Sequence, residues 1–153
     1  MIRARKRFGQ HFLEPTWQIK VVEACAPSGS DQVVEIGPGA GALTIPLAAR
    51  VARLLAVEID RDLAATLAAK ALPNIQVVEG DFLQCHWSNL MTGWHGYDPE
   101  AGVRVVGNLP YNVSSPILFR LLALAASHGG IADATLMLQA EVADPLRAVF
   151  RIT

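Results

Sequence analysis

The segment Asn108-Leu109-Pro110-Tyr111 combines residue types that can act on the exocyclic amine of an adenine. Such an amine is a poor nucleophile because its lone pair is delocalised into the ring. The Asn108 side-chain oxygen and the Leu109 backbone carbonyl can accept its two hydrogens and turn the lone pair toward an electrophile. Pro110 fixes the backbone direction without adding an N–H, and Tyr111 offers a flat face for an extruded base. The alternative is a turn that only ends a strand.

A glycine-rich turn at 37–41 follows an apolar run at 33–36. Glycines let the backbone turn sharply and approach a ligand closely, and Gly37, Gly39 and Ala42 satisfy the loose dinucleotide pattern G-x-G-x-x-A. Glu58 follows about 20 residues later, where an acid can accept hydrogen bonds from both hydroxyls of a ribose. These features fit NAD and S-adenosylmethionine equally well. The alternative for Glu58 is an exposed acid at a strand end.

Asp81 occupies a similar position after a third apolar run, within Glu79-Gly80-Asp81-Phe82. An Asp there can accept a hydrogen bond from the exocyclic amine of a bound adenine, while an apolar neighbour covers the ring. The alternative is an aspartate that caps a turn or a helix N-terminus.

The elements that position these residues alternate along the chain. Apolar runs predict strands at 33–36, 54–59, 75–78, 103–106 and 134–138, and helices are predicted from Pro15 and at 42–52, 62–72 and 116–128. This alternation predicts an α/β fold with a parallel sheet covered on both faces. Ligands bind such sheets beyond the C-terminal ends of the strands, which is where the polar residues lie. The stretch 85–102 is predicted to be a long surface loop.

The composition limits the class of protein. A chain of 153 residues with 52% apolar and 18% charged residues suits one packed domain. No apolar run reaches the ~20 residues of a membrane helix, and the basic start is no secretory signal, so a cytoplasmic protein without a membrane partner is expected. Cys25, Cys85 and the histidines have no metal-ligand spacing, so no metal is expected. Cys25 is expected to be a buried thiol.

The first seven residues form a basic arm. They contain Arg3, Arg5, Lys6 and Arg7 and no acid, whereas acidic residues outnumber basic ones in the rest of the chain. This asymmetry is typical of a protein that meets a polyanion at one edge. A solvated terminus without a partner is the alternative.

Taken together, these motifs resemble the small-subunit (16S) ribosomal RNA adenine-N6,N6-dimethyltransferase family. The similarity lies in the segments 5–13 (RKRFGQHFL), 34–39 (VEIGPG), 108–114 (NLPYNVS) and 137–143 (MLQAEVA). The resemblance implies a Rossmann-like fold that uses S-adenosylmethionine. It also implies transfer of two methyl groups to each of two adjacent adenosines near the 3′ end of 16S rRNA, within the small ribosomal subunit.

The resemblance also implies roles for individual residues. Cofactor contacts would fall at His11, Leu13, Gly37, Gly39, Glu58, Asp81 and Asn108. Catalysis would fall to Asn108, Leu109, Pro110 and Tyr111, and contacts to RNA to the basic arm. His11 stands where many members have Asn, and either side chain can form a hydrogen bond there.

Residues 1–13 are therefore expected to form a basic arm and cofactor-lid motif, and residues 14–153 a Rossmann-like methyltransferase domain. The sheet is expected to be incomplete at the C-terminus, because the family's antiparallel hairpin and helical RNA-binding domain are missing from the match. Pro145 falls inside an expected helix, and residues 146–153 do not align. The fifth strand would then be an exposed edge, which favours association.

Three other functions remain open from the sequence. The related enzymes that methylate large-subunit RNA usually have Ile in place of Leu109. An NAD-dependent oxidoreductase would use the glycine turn and Glu58 but leave the segment 108–111 unexplained. A non-catalytic ribosome-binding factor would need only the basic arm.

Overall fold

The computed structural model describes residues 14–128, 130–138 and 148–152. The strands are β1 Gln32–Ile36, β2 Arg53–Glu58, β3 Ile75–Glu79, β4 Val103–Leu109, β5 Ile131–Leu138 and β6 Ala148–Ile152. The helices are α1 Pro15–Cys25, α2 Thr44–Ala48, α3 Arg61–Ala68, α4 Trp87–Thr92 and α5 Tyr111–His128. The expectations for the basic arm and for the helix around Pro145 lie outside the described residues.

The strands form one sheet in the order β3-β2-β1-β4-β5-β6. All pairings from β1 to β5 are parallel, and β6 pairs antiparallel with β5. The C-terminal ends of β1 to β5 therefore meet at one edge. The strand order reverses between β1 and β4, and this switch point is where open α/β sheets bind ligands.

Helices cover both faces of the sheet, as the alternating pattern predicts. On one face α1, α2 and α3 cover a core that includes Val33, Leu47, Leu54, Leu67 and Met137. On the other, α4 and α5 cover a core that includes Val34, Leu55, Trp87, Leu121 and Leu136. Strands buried on both faces explain the nearly continuous apolar runs in the sequence. Among the described residues, no helix is long and apolar enough to cross a membrane.

Local signals set the limits of the helices. Pro15 begins α1, and Ala26 ends it in the left-handed conformation at φ 47°. Cys25 on α1 is fully buried, as expected, and burial raises the pKa of its thiol. The Asp60 side chain caps α3 by accepting hydrogen bonds from two backbone N–H groups.

Helix α2 has only five residues, so the predicted span of 42–52 is wrong. Residues 42–43 before it and 49–52 after it form turns and a bend instead.

The predicted surface loop at 85–102 is also wrong. It contains α4, and the indoles of Trp87 and Trp94 are buried beneath the sheet. Trp94 stacks on Tyr97 with 5.9 Å between ring centroids, and the Gln32 side chain binds the Asp98 backbone. Glycines and prolines marked the segment as loop, but burial of the indoles orders it.

Helix α5 begins at Tyr111, five residues before its predicted start at Pro116. Proline lacks an N–H, so Pro116 removes a single helical hydrogen bond, close to the first turn. The Val113 and Ser114 N–H groups both bond to the Pro110 carbonyl and begin the helix. The consequence is that Tyr111 is fixed on a helix rather than on a loop.

The expectation of an exposed edge at β5 is wrong, because β6 covers it. Asp133 on β5 binds Arg151 on β6 at 2.7 Å and Arg104 on β4 at 2.9 Å. Arg104 also binds Asp31 at 2.7 Å and the backbone carbonyls of Cys25 and Ala26. This buried ion network ties α1, β4, β5 and β6 together at the edge opposite the strand ends described above.

Candidate active site

The polar residues singled out by sequence converge at the C-terminal edge of the sheet. Because β3, β2, β1 and β4 are neighbours in that order, Asp81, Glu58, the glycine turn and Asn108 follow one another along this edge. An elongated ligand lying across the strand ends would meet them in this order.

The glycine turn is open on its outer side. Gly37 and Gly39 have φ of +66° and +59°, and a Cβ at either position would meet no atom of the described residues within 4 Å. The Gly39 N–H donates to Glu58 Oε2 at 2.8 Å, and the Gly37 N–H donates to the Val57 carbonyl at 2.9 Å. These hydrogen bonds to β2 hold the two left-handed glycines on their inner side. Their outer side can therefore face a ligand.

Glu58 is the end residue of β2 and is 3% exposed. The alternative of an exposed acid at a strand end is therefore wrong. Its Oε2 accepts the Gly39 N–H, and its Oε1 accepts the Asp60 N–H at 2.9 Å. A carboxylate can accept about four hydrogen bonds, so Glu58 can fix the glycine turn and still accept from a ribose.

Asp81 follows β3, and its capping role is confirmed, whereas a hydrogen bond to an adenine stays a prediction. Its Oδ1 accepts the Leu83 N–H at 3.0 Å, which caps a turn. Its Oδ2 has no hydrogen bond in the described part of the chain. Phe82, the apolar neighbour, is 4% exposed beneath the Arg120 guanidinium and cannot cover a ring. Ile59, which was predicted to lie in a strand, follows the end of β2 and has an exposed apolar side chain.

The segment 108–111 spans the end of β4 and the start of α5. Asn108 and Leu109 belong to the strand itself, so the segment is not merely a turn. The Leu109 side chain is 1% exposed, which leaves its backbone as the polar part. Asn108 is half-buried, whereas Tyr111 is 48% exposed and can stack on a base.

The sequence placed Glu35 in a buried strand and in the segment 34–39 that resembles the family's cofactor loop, without giving its side chain a role. The structure places its side chain next to the site at 1% exposure, facing Thr44 at the start of α2. Burial is the main cause that raises the pKa of Glu35 to about 8; the Thr44 hydroxyl opposes this, and Glu58 adds to it. A charged residue within an otherwise apolar run was the signal in the sequence.

The remaining site predictions are not tested by the structure. His11, Leu13 and the four cations of the basic arm lie outside the described residues. Within the ranges that are described, no group of three or more His, Cys, Asp or Glu side chains could hold a metal ion.

Residues 1–151 match the family model described as ribosomal RNA adenine dimethylase. The chain belongs to this family. Among curated relatives, the ribosomal RNA small subunit methyltransferase A of Bordetella avium (strain 197N) is 50% identical over 148 residues. The match covers 95% of this chain and 52% of that protein. The chain thus spans about half the length of the curated relatives it matches.

Solved structures of RNA methyltransferases share the fold. The 23S rRNA methyltransferase ErmE is 29% identical with a TM-score of 0.67, over 86% of this chain and 49% of that chain. A dimethyladenosine transferase from Plasmodium falciparum is 27% identical with a TM-score of 0.67, over 86% and 44% of the two chains. The Rossmann-like methyltransferase fold expected from the sequence is confirmed.

Proposed function

We propose that this chain forms the cofactor-binding and catalytic part of an enzyme that methylates adenosine N6 in ribosomal RNA with S-adenosylmethionine. The observation that carries the proposal is the convergence of Asp81, Glu58, an open glycine turn and Asn108 along one edge of a sheet in a member of the adenine dimethylase family. The substrate we infer is two adjacent adenosines near the 3′ end of 16S rRNA, and the relative named for the small ribosomal subunit supports the choice of subunit.

The residues present fit S-adenosylmethionine, which supplies the electrophilic methyl group. Asp81 Oδ2 can accept from the adenine amine and Glu58 from the ribose hydroxyls. No side chain of the described residues fills the space above Gly37 and Gly39, where the methionine part can lie. These assignments place the methyl group near Asn108, on the strand beyond the glycine turn.

In the proposed reaction Asn108 orients the target amine rather than removing its proton. The Asn108 side-chain oxygen and the Leu109 carbonyl accept the two amine hydrogens and direct the lone pair at the methyl carbon. Tyr111 stacks on the extruded base. A strong base is not needed, because the proton becomes acidic once the nitrogen carries the methyl group. Orientation is thus the main catalytic contribution of these residues.

The polyanionic partner we infer is the small ribosomal subunit in the cytoplasm, met through Arg3, Arg5, Lys6 and Arg7. Lysine and arginine contacts to phosphates position a protein on RNA without reading its sequence. The curated relatives are about twice as long as the matched region, so the remaining half of such a protein would add further contacts to RNA.

Methylation of large-subunit RNA is a second candidate, because ErmE shares the fold at 29% identity. The 50% identity with a relative named for the small subunit favours the first candidate. Transfer of labelled methyl groups to unmethylated small and large subunits in parallel separates the two. A non-catalytic ribosome-binding factor would bind small subunits equally well after Asn108→Ala and transfer no label.

The first experiment is thermal melting of the chain with S-adenosylmethionine and with NAD as control. A ligand that binds only the native state at ~100 times its dissociation constant adds about 2.7 kcal/mol of stability. We expect the midpoint to rise with S-adenosylmethionine alone. A rise with NAD alone would reject the proposal and favour an oxidoreductase.

A further inference from the structure

Glu35 and Thr44 form a buried polar pair that the proposed reaction does not use. Glu35 is 1% exposed and Thr44 is fully buried. Glu35 Oε2 and the Thr44 hydroxyl make no hydrogen bond of ordinary geometry within the described part of the chain. A buried polar atom without a partner costs about 1–3 kcal/mol, so the pair calls for an explanation beyond packing.

The strand register places Glu35 beneath the site. Glu35 on β1 is paired with Ala56 on β2 and with Val106 on β4. Glu58 and Asn108 each lie two residues beyond those partners, so all three side chains project from the same face of the sheet. At about 3.3 Å per residue and 4.8 Å between strands, Glu35 lies below the gap that separates Glu58 from Asn108.

In the proposed function, the sulfur of the methyl donor lies in this gap. The inference therefore rests on the proposed function. The sulfonium is bonded both to the ribose carbon, held at Glu58, and to the methyl group, directed at Asn108. It therefore lies between the two residues, above the end of β1. The sulfur is positively charged in S-adenosylmethionine and neutral in the product, S-adenosylhomocysteine.

We propose that Glu35 is a specificity-determining residue that makes the site prefer S-adenosylmethionine to S-adenosylhomocysteine by ionising as the sulfonium binds. The carboxyl is neutral in the empty site, and its proton passes to solvent when the cation arrives. After methyl transfer the sulfur is neutral, a proton returns to Glu35, and the product is held less tightly. No covalent bond to Glu35 forms or breaks other than its O–H bond.

The charges around Glu35 are consistent with this role. Burial raises the pKa of Glu35 to about 8, Thr44 opposes the rise and Glu58 increases it. Helix α2 contains no titratable residue, and the charged residue of β4, Arg104, lies toward the other end of its strand, bound to Asp133. A cation placed above the pair would favour the ionised carboxyl.

The test is calorimetric titration of the chain with each of the two ligands between pH 6.5 and 8.5, in the parent, Glu35→Gln and Glu100→Gln. For the parent we expect the ratio of the affinity for S-adenosylmethionine to that for S-adenosylhomocysteine to rise with pH. The total rise is up to tenfold for each unit by which S-adenosylmethionine lowers the pKa of Glu35. Glu35→Gln should show a smaller ratio with a weaker dependence on pH. The exposed Glu100, at the opposite edge of the sheet, is the matched control and should behave like the parent.

Each ligand has an α-amino group that can also release a proton, which is why the parent is compared with Glu35→Gln. A second measurement needs no variant: titration of the parent at pH 7 in two buffers of different ionisation enthalpy. We expect S-adenosylmethionine to release most of one proton more than S-adenosylhomocysteine does. Equal proton release by the two ligands would overturn the inference but not the proposed function. An affinity ratio that is unchanged in folded Glu35→Gln would do the same. Failure of the parent to bind either ligand overturns the proposed function and the inference with it.

Discussion

At the residue scale, the glycine turn and Glu58 support each other. The Gly39 N–H reaches Glu58 Oε2 because Gly39 adopts a left-handed φ of +59°, which a residue with a Cβ adopts only with strain. In return, the hydrogen bond holds the carboxylate at the strand end. The sequence indicated both residues as ligands of a nucleoside, but it did not show that they contact each other.

Gly39→Ala is expected to destabilise the protein by about 1 kcal/mol, because alanine is strained in the left-handed region. A Cβ there would meet no atom within the described ranges at less than 4 Å, so we attribute the loss to strain rather than to a clash. Gly29→Ala is the matched control, since a Cβ there also meets nothing within 4 Å and its φ is not left-handed. Thermal melting of the two variants measures the difference. Equal midpoints would contradict the assignment of strain to Gly39.

Glu35 should make the stability of the protein depend on pH. The folded protein keeps the Glu35 proton up to a pKa of about 8, whereas the unfolded chain loses it near the ordinary value of 4.5. The unfolded state therefore binds fewer protons between these values, and the free energy of unfolding falls as pH rises through this window. Melting at pH 5, 6, 7 and 8 should show the midpoint of Glu35→Gln rising relative to that of the parent at each step. A constant difference between the two would argue against a buried neutral carboxyl.

At the scale of elements, the edge opposite the site depends on a single buried carboxylate. Asp133 accepts hydrogen bonds from Arg104 on β4 and Arg151 on β6. Burial disfavours the charged form of Asp133, but the hydrogen bonds from the two guanidinium groups outweigh it and lower the pKa of the carboxyl. The network explains how a short strand, β6, is held on a sheet that is otherwise parallel.

Asp133→Ala should destabilise the protein by about 3 kcal/mol, because it leaves the buried Arg104 guanidinium without its main partner. The double variant Arg104→Met with Asp133→Leu should recover much of this loss, since apolar residues of similar volume often replace a buried ion pair without cost. Urea unfolding at pH 7 measures both. Glu23→Ala, on the exposed side of α1, is the control and should be neutral. A double variant no more stable than Asp133→Ala would point to contacts other than the ion pair.

At the scale of the whole molecule, β6 determines whether β5 is an edge strand of the sheet. It pairs with β5 from Ala134 to Leu138 and covers backbone groups that would otherwise face solvent. The sequence suggested an exposed edge because residues 146–153 showed no motif that resembles the family, although the family model matches as far as residue 151. An antiparallel edge strand needs only an extended segment that can reach the edge, so it carries few recognisable motifs.

A variant that ends at Leu138 should expose the β5 edge and associate, because unpaired backbone donors and acceptors template further strands. Size-exclusion chromatography and light scattering at several concentrations would detect this as a rise in mean mass. A variant that lacks only Thr153 is the control and should match the parent. A monomeric product that ends at Leu138 and melts cooperatively would show that β6 is dispensable.

The sequence by itself determined the α/β class, the positions of the five parallel strands and the residues at their ends. These features follow from local patterns: apolar runs, glycines at turns and polar residues that interrupt them. It did not determine that α5 begins at Tyr111 or that the segment at 85–102 is packed. The packing of the segment depends on burial of Trp87 and Trp94 beneath the sheet. Helix α5 begins where the Pro110 carbonyl accepts hydrogen bonds from the Val113 and Ser114 N–H groups.

Only the tertiary structure decided the role suggested for Glu35. Its position in β1 was evident from the apolar run, but its relation to Glu58 and Asn108 is set by strand order and register, which bring together residues far apart in the chain. Its pKa depends on burial by α2, a helix whose extent the sequence overestimated. Local patterns specify which residues can do chemistry, whereas desolvation and mutual placement are properties of the folded chain.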